Sequence, residues 1–298
     1  MTLSFLFHQK KVVVGAAILL VLATLAIFAP LIAPYSPEYR VARSHQAPSF
    51  EHFMGTTKMG RDVFSQFVWG ARSTLSVGVA AGVAITMLGT VVGLIGGYMG
   101  GRVDRGLDLL TNAVLVIPNL PLLIFLAAFA GTVGPSVIIV IITLTSWPWG
   151  ARLTRSQTLA IKNREFVLAA RMVGESKLRV ALVEILPNLL PLIGINFVGS
   201  IIFAIVTQTT LEYLGFGDPL HVTWGTMLYN AQNSSAILVG AWWDVAAPCA
   251  GVVLVGLSLA LINFTLDEIA NPQLRSGPAL SRWLRWTRLR TRALQVRR

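Results

Sequence analysis

The sequence has 298 residues, of which 54% are hydrophobic and only 12% are charged, with a mean hydropathy of +0.68. A soluble domain carries about 25% charged residues, so the composition excludes an ordinary soluble protein and predicts an all-α polytopic membrane protein. The net charge of +11 does not indicate nucleic-acid binding, because lysine and arginine concentrate in particular loops and in the C-terminal tail. That distribution is typical of membrane orientation.

The apolar runs predict six transmembrane helices, with both termini in the cytoplasm. Residues 1–11 end in two lysines and form a predicted cytoplasmic N-terminus. The first span is predicted over 12–34, which is longer than the apolar region of a signal peptide. Residues 35–73 are polar and rich in turn residues, and we expect them to be extracytoplasmic. We expect this segment to contain an amphipathic helix at the outer membrane interface, with an apolar side made of Phe64, Phe67, Val68 and Ala71.

Residues 74–272 are predicted to hold the other five spans, at about 74–98, 107–130, 136–151, 188–211 and 245–266. Gly89 and Gly93 have the four-residue spacing that lets membrane helices pack closely. Pro118 and Pro121 interrupt the third span, where prolines kink a membrane helix. Residues 273–298 form a basic tail, which we expect in the cytoplasm. This tail is either an interfacial helix on the anionic leaflet or a disordered topology signal.

The stretch between the fourth and fifth spans, residues 163–188, is polar and carries basic residues, which predicts a cytoplasmic loop. We expect two short helices with a bend at Gly174, since glycine adopts the left-handed conformation that ends a helix. Asn163 and Ser176 are the predicted N-caps, and Pro187 suits the first turn of the next helix. The second short helix is predicted to bury a stripe made of Leu178, Ala181, Leu182 and Ile185.

The same loop resembles the EAA loop of ABC importer permeases. The residues that carry the resemblance are Glu165, Ala169, Ala170, Gly174, Ser176, Leu186 and Pro187. In that family the loop forms coupling helices that dock into a groove on the ATPase subunit. Glu184 departs from the family, whose close members usually have a basic residue or histidine there.

A second resemblance covers residues 52–78. His52, Gly55-Thr56, Gly60-Arg61-Asp62, Ser65 and Gly70-Ala71-Arg72 are similar to a motif of the dipeptide/oligopeptide/nickel branch of these permeases, specifically the second of the two permease subunits. Thr57 and Gln66 depart from the motif. The resemblance implies a bacterial or archaeal cytoplasmic membrane and import of di- or oligopeptides. It also implies a homologous second permease, two ATPase subunits and an extracytoplasmic solute-binding protein as partners.

No phosphate-binding loop of the form G-x-x-x-x-G-K-[ST] occurs in the chain, so we do not expect it to hydrolyse ATP. The resemblance assigns ATP and Mg²⁺ to the partner ATPases, and we expect no cofactor in this chain. The four histidines are scattered without metal-ligand spacing, and no nucleophile lies in a recognisable elbow. The sequence therefore predicts neither catalytic nor metal-binding residues.

Several polar residues fall within the predicted spans, and Asn196, Thr207 and Gln208 are the candidates for lining a translocation pathway. Such residues also bridge helices by hydrogen bonds, which is the competing interpretation. The same fold serves importers of nickel complexes or oligosaccharides in this branch. A stand-alone secondary transporter or channel is the alternative from another class, but such proteins usually carry ionisable residues in mid-membrane. Here Asp244 and Asp267 fall at the ends of the last span.

Overall fold

The computed structural model describes residues 10–131 and 134–270. In these ranges the chain is almost wholly helical and forms no β-strand beyond an isolated bridge between Thr56 and Asp62. The helices are α1 (Lys10–Ile27), α2 (Ala29–Ile32), α3 (Val63–Met99), α4 (Gly101–Val116), α5 (Asn119–Ala130), α6 (Pro135–Ile161), α7 (Glu165–Met172), α8 (Lys177–Arg179), α9 (Leu186–Leu211), α10 (Trp224–Asn233) and α11 (Trp243–Ala270). The predicted N-terminal residues 1–9 and the predicted tail 273–298 lie outside the described residues.

Four helical stretches of the described chain are long and apolar enough to cross a membrane, and a fifth is counted if α4 and α5 form one bent span. The stretches that qualify alone contain α3, α6, α9 and α11. The α1 helix is apolar but shorter, because the chain leaves helical geometry at Phe28, just before Pro30. The all-α membrane architecture is confirmed, whereas the predicted number of six spans is not established.

Helix α3 is the central element, since α6 packs along one side of it and α9 along another. Its 37 residues correspond to a length of about 55 Å. Gly89, Gly93 and Gly97 lie against α6, and a Cβ atom on Gly93 would lie only 2.5 Å from the carbonyl oxygen of Ala151. The predicted close packing at these four-residue steps is confirmed. Gly78 and Gly82 make an equivalent approach to isoleucines of α9.

The predicted interfacial helix within 35–73 is wrong as a separate element. Residues 63–73 are the first turns of α3, and Asp62 caps this helix by accepting a 2.7 Å hydrogen bond from the Ser65 amide. The apolar side that we assigned to lipid faces protein instead, since Phe67, Val68 and Ala71 are buried in the core. An amphipathic pattern has the same spacing in either case, so the sequence alone does not reveal which apolar partner covers it.

The predicted third span is broken rather than kinked. Helices α4 and α5 meet at 87°, with Ile117 and Pro118 both in extended conformations between them. The residue before a proline is driven out of helical geometry, and Pro118 is itself extended here. Helix α4 also begins at Gly101, ahead of the predicted start at residue 107.

Trp224 fastens α10 to the core, and this contact yields a test of packing. The ring is fully buried, stacks on Phe67, and donates a 3.1 Å hydrogen bond from Nε1 to the carbonyl oxygen of Phe67.

A Cβ on Gly251 of α11 would lie 2.6 Å from the Trp224 ring, whereas nothing lies within 4 Å of a Cβ on Gly256. We expect Gly251→Ala to lower stability by about 1–3 kcal/mol through overpacking, and Gly256→Ala to be neutral or slightly stabilising. Thermal unfolding of the two variants measures the difference; equal midpoints would contradict it.

Candidate functional site: the 163–188 loop and the bundle cavity

The 163–188 loop is attached to one end of the α3–α6 pair. Lys162, just after α6, donates from Nζ to the carbonyl oxygen of Gly97 at 3.0 Å, so the end of α3 and the end of α6 lie together. Val167 of α7 is fully buried and packs with Leu94 of α3. We call this end of the bundle the loop end, and the end at which α3 begins the far end.

A second contact holds α7 in place, since the guanidinium of Arg171 lies over the ring of Tyr98 at 4.9 Å from the ring centroid. A cation over an aromatic face contributes about 0.5–1 kcal/mol at an exposed site. Helix α7 is therefore fixed to the end of α3 by one apolar and one cationic contact.

The predicted bend at Gly174 is confirmed, because this residue has a φ of +86° and the Gly174 amide donates to the carbonyl oxygen of Arg171 at 3.0 Å. The predicted cap at Ser176 is also confirmed, since its side chain accepts from the Arg179 amide at 3.3 Å. The predicted cap at Asn163 is wrong: Arg164 occupies the N-cap position of α7 and makes no side-chain capping bond.

The predicted apolar stripe of the second short helix is only half right. Ala181 and Ile185 are buried, but Leu178 and Leu182 are exposed, and Val180 is buried instead. The reason is a π-helical turn over Val180–Ile185, in which residues five apart lie on one face. Val180 and Ile185 therefore point to the core together.

The remaining resemblance-derived residues lie along the loop as follows. Glu165 and Ala169 are exposed on α7, Ala170 and Leu186 are partly buried against the cluster around Val167, and Pro187 stands exposed in the first turn of α9. The bend itself presents apolar side chains to the surface, since Met172 is 82% exposed and Val173 is 83% exposed. Leu178 is likewise 70% exposed across the bend. Large apolar side chains clustered on a surface are typical of a protein contact site.

The loop continues into α9 without a helical break, because α8, the π-helical turn Val180–Ile185 and α9 follow one another directly from Lys177 to Leu211. Helix α9 also lines a cavity of about 450 Å³ inside the bundle. Three asparagines from three helices reach this cavity: Asn119 of α5, Asn196 of α9 and Asn263 of α11. The Oδ1 atom of Asn263 is buried and has no hydrogen-bond partner among the described residues. The rest of the lining is Ile85, Leu115, Thr145, Ser146, Trp149, Gly150, Ile195, Gly199, Ser200 and Phe203.

Of the three predicted pathway residues, the structure places only Asn196 in this cavity. Thr207 is buried about 16 Å further along α9. Gln208 is fully buried and donates from Nε2 to the Glu212 carboxylate at 2.9 Å. The Gln208–Glu212 hydrogen bond is of the kind that the competing interpretation describes, whereas the pathway role of the three residues stays a prediction.

An ionic cluster lies near the loop end, and the sequence analysis did not predict it. Arg155 of α6 forms a bidentate pair with Asp104 of α4, at 2.5 and 3.0 Å, and a further ion pair with Asp108 at 3.2 Å. Arg152 donates to Asn112 at 2.6 Å. The three α4 partners are spaced four residues apart and so share one helix face, which is the signal that sequence reasoning overlooked. These contacts tie the first half of the broken helix to α6.

Residues 89–275 match the family described as "Binding-protein-dependent transport system inner membrane component", and this match covers more than half of the chain. The chain belongs to this family. Residues 2–48 additionally match the "N-terminal TM domain of oligopeptide transport permease C".

Individual relatives of this inner membrane component cover nearly its whole length. The dipeptide transport system permease DppC of Escherichia coli K12 is 35% identical over 277 residues, which span 90% of this chain and 91% of the relative. DppC of Bacillus subtilis 168 is 32% identical over 90% of this chain and 83% of the relative. The oligopeptide permease OppC of the same organism is 31% identical, covering 90% and 87% of the two chains.

A solved structure confirms the fold of the inner membrane component. A chain of the MetNI methionine ABC transporter, in an inward-facing conformation, superposes with a TM-score of 0.56 at 20% identity. The match covers 70% of this chain and 95% of that chain. The family match and the permease relatives confirm the resemblance to ABC importer permeases, and the family is one of transport permeases.

Proposed function

We propose that this permease forms half of the translocation pathway of an ABC importer for di- or oligopeptides. The observation that carries the proposal is the continuity of the 163–188 loop with α9, which lines the bundle cavity with Asn196. A movement imposed on the loop reaches the cavity wall through one helical stretch. The exposed apolar bend at Met172 and Val173 supplies a surface on which an ATPase subunit can act.

The mechanism is a two-state switch. ATP binding closes a pair of partner ATPases and moves α7 together with the end of α3, because Val167 and Arg171 fasten α7 to that end. Contacts that differ between the two states are what allow ATP to bias the opening of the cavity. The partners are a homologous second permease, two ATPase subunits that hold ATP and Mg²⁺, and a solute-binding protein on the opposite side. The loop and both termini face the cytoplasm.

Two lines of support point to peptides. The relatives named above are described as dipeptide and oligopeptide permeases. The cavity also presents three carboxamides and no charged side chain among its lining residues. A carboxamide both donates and accepts hydrogen bonds, as a peptide backbone requires. The path therefore suits a substrate recognised through its main chain rather than through a fixed charge.

The proposed function is tested by purifying the tagged chain from native membranes and reconstituting the complex in liposomes. We expect a second permease and ATPases to co-purify, and labelled dipeptide to enter only when ATP and the solute-binding protein are present. Uptake of nickel complexes or oligosaccharides instead of peptides would overturn the substrate. A chain that purifies alone and transports without ATP would overturn the ABC assignment in favour of a stand-alone carrier.

Asn196 provides a test of the pathway itself. We expect Asn196→Leu to reduce ATP-dependent peptide uptake about tenfold, since it removes a carboxamide from the cavity wall at a cost of about 1–2 kcal/mol of peptide hydrogen bonding. Thr207→Val, which changes a buried polar residue of the same helix outside the cavity, is the matched control. Initial uptake rates at equal amounts of assembled complex compare the two. An equal loss in both variants would place the pathway elsewhere.

A further inference from the structure

A second cavity lies at the far end of the bundle, about as far from the loop as α3 allows. It has a volume of about 380 Å³ and is lined by the turn that precedes α3, by α10 and by the start of α11. Small-molecule pockets begin at about 300 Å³. The lining residues are Thr57, Lys58, Met59, Arg61, Gln66, Met227, Asn230, Asn233, Ser234 and Asp244.

Asp244 is the unusual member of this lining. It is only 3% exposed, and its carboxylate accepts no hydrogen bond and forms no ion pair within the described part of the chain. A buried carboxylate normally has a cationic or hydrogen-bonding partner, because burial of an isolated charge is costly. Its place in the first turn of α11 gives some stabilisation from the helix dipole. The carboxylate nonetheless borders the cavity without a partner of its own.

Two cationic side chains border the same cavity. Lys58 and Arg61 lie on a turn closed by a 2.9 Å hydrogen bond from the Gly60 amide to the Thr57 carbonyl oxygen. Neither forms an ion pair with any residue that the structure describes. The cavity therefore combines one buried carboxyl group with two cations that form no ion pair within the described residues.

The positions of these opposite charges are fixed relative to each other. Trp243, the neighbour of Asp244, donates from Nε1 to the carbonyl oxygen of Thr56 at 3.2 Å. Gly55 lies against the Trp243 ring so closely that a Cβ there would be 2.7 Å from Nε1. The turn that carries the cations is thus fastened to the helix that carries Asp244, and the site is preorganised.

We infer that this far-end cavity binds the charged termini of a dipeptide, with the α-ammonium group at Asp244 and the α-carboxylate at Lys58 and Arg61. The zwitterionic chemistry follows from the cavity alone, while the choice of a peptide rests on the proposed function. The cavity sits apart from the uncharged, asparagine-lined cavity around Asn196. A peptide would first be held here by its termini and then pass to a path that recognises its main chain.

The test uses the assembled permease complex in lipid nanodiscs without the solute-binding protein. Binding of alanyl-alanine, its N-acetyl derivative and its C-terminal amide is followed by saturation-transfer NMR titration. We expect N-acetylation and amidation each to weaken binding at least tenfold. Asp244→Asn should weaken the binding of alanyl-alanine at least tenfold and leave the binding of the acetylated peptide unchanged. Arg61→Gln should likewise weaken the binding of alanyl-alanine and leave the binding of the C-terminal amide unchanged.

Control variants and outcomes separate this inference from the proposed function. Thr207→Val, which lies outside both cavities, should leave alanyl-alanine binding unchanged. Equal binding of all three peptides, or an Asp244→Asn variant that still discriminates against acetylation, would overturn the zwitterion site even if the complex imports peptides. Loss of solute-binding-protein association in Asp244→Asn, with peptide binding intact, would instead mark a protein contact and also overturn it. If the three peptides bind as expected but the complex imports no peptide, the result would support the zwitterion site and contradict the proposed function.

Discussion

Gly174→Val is expected to reduce ATP-driven uptake at least about tenfold while the permease still inserts and assembles with its partner permease. Gly174 has a φ of +86°, and a β-branched residue is a genuine outlier in that region of backbone space. A left-handed conformation costs an L-residue about 1–2 kcal/mol. The bend between α7 and α8 would therefore open or shift, and Met172 and Val173 would no longer present the same surface to an ATPase.

The space around Gly174 allows a clean comparison, because nothing lies within 4 Å of a Cβ at this position. A Cβ atom at position 174 therefore meets no steric obstacle within the described part of this chain. Gly174→Asn should retain most activity, since asparagine tolerates positive φ. Gly106→Val is the positional control: Gly106 lies within α4 and also has free space around its Cβ. Uptake and transport-stimulated ATP hydrolysis are measured together. A fully active Gly174→Val variant would refute the role of the bend in coupling.

Glu212→Ala is expected to produce the largest loss of stability among single substitutions discussed for this permease. Glu212 is only 3% exposed and lies at the far end of α9. Its carboxylate accepts hydrogen bonds from Gln208 and from the Thr223 hydroxyl, which also caps α10. Truncation would leave two buried polar groups without their acceptor and open a cavity beside Gly225. We expect a loss of about 2–4 kcal/mol.

The carboxylate can be separated from the volume that it fills. Glu212→Gln keeps the size and an acceptor oxygen, so it should cost clearly less than Glu212→Ala. Replacement of both partners, Gln208→Leu with Glu212→Leu, removes donor and acceptor together and should cost less than the sum of the single changes. Thermal unfolding in detergent of Glu212→Ala, Glu212→Gln, the two single leucine variants and the double variant gives the five values. Strict additivity would show that the two side chains do not act as a pair.

The parts of the loop that could be predicted from sequence depend on local chemistry. Gly174 and Ser176 were placed correctly because positive φ and N-capping are properties of single residues and their near neighbours. The close packing at the glycines of α3 was also predictable, since helices that approach closely require small side chains whichever helix is the partner. Asn163 failed as a cap because α6 ends in a turn that moves the extended residue to Arg164.

The features of the fold that could not be predicted depend on which helices pack against each other. The first turns of α3 have an apolar side that suits lipid and protein equally, and only the tertiary structure shows Phe67 stacked on Trp224. The π-helical turn at Val180–Ile185 shifts the buried positions by a fraction of a turn, which α-helical periodicity does not foresee. In the sequence, Glu212 directly follows an apolar run, which is also where a solvent-exposed acid would stand. Its burial results from the packing of α10 over it.

The length of α3 has a thermodynamic consequence. Helix α3 is about 55 Å long and exceeds the roughly 30 Å hydrocarbon core of a bilayer, so it is long enough for its two ends to reach different aqueous compartments. One end holds the loop through Leu94 and Tyr98, and the other borders the turn that carries Lys58 and Arg61. If the tilt of this helix differs between the two transport states, occupancy at one end and nucleotide at the other become linked equilibria. Each ligand must then change the affinity for the other by the same factor, with no contact between them.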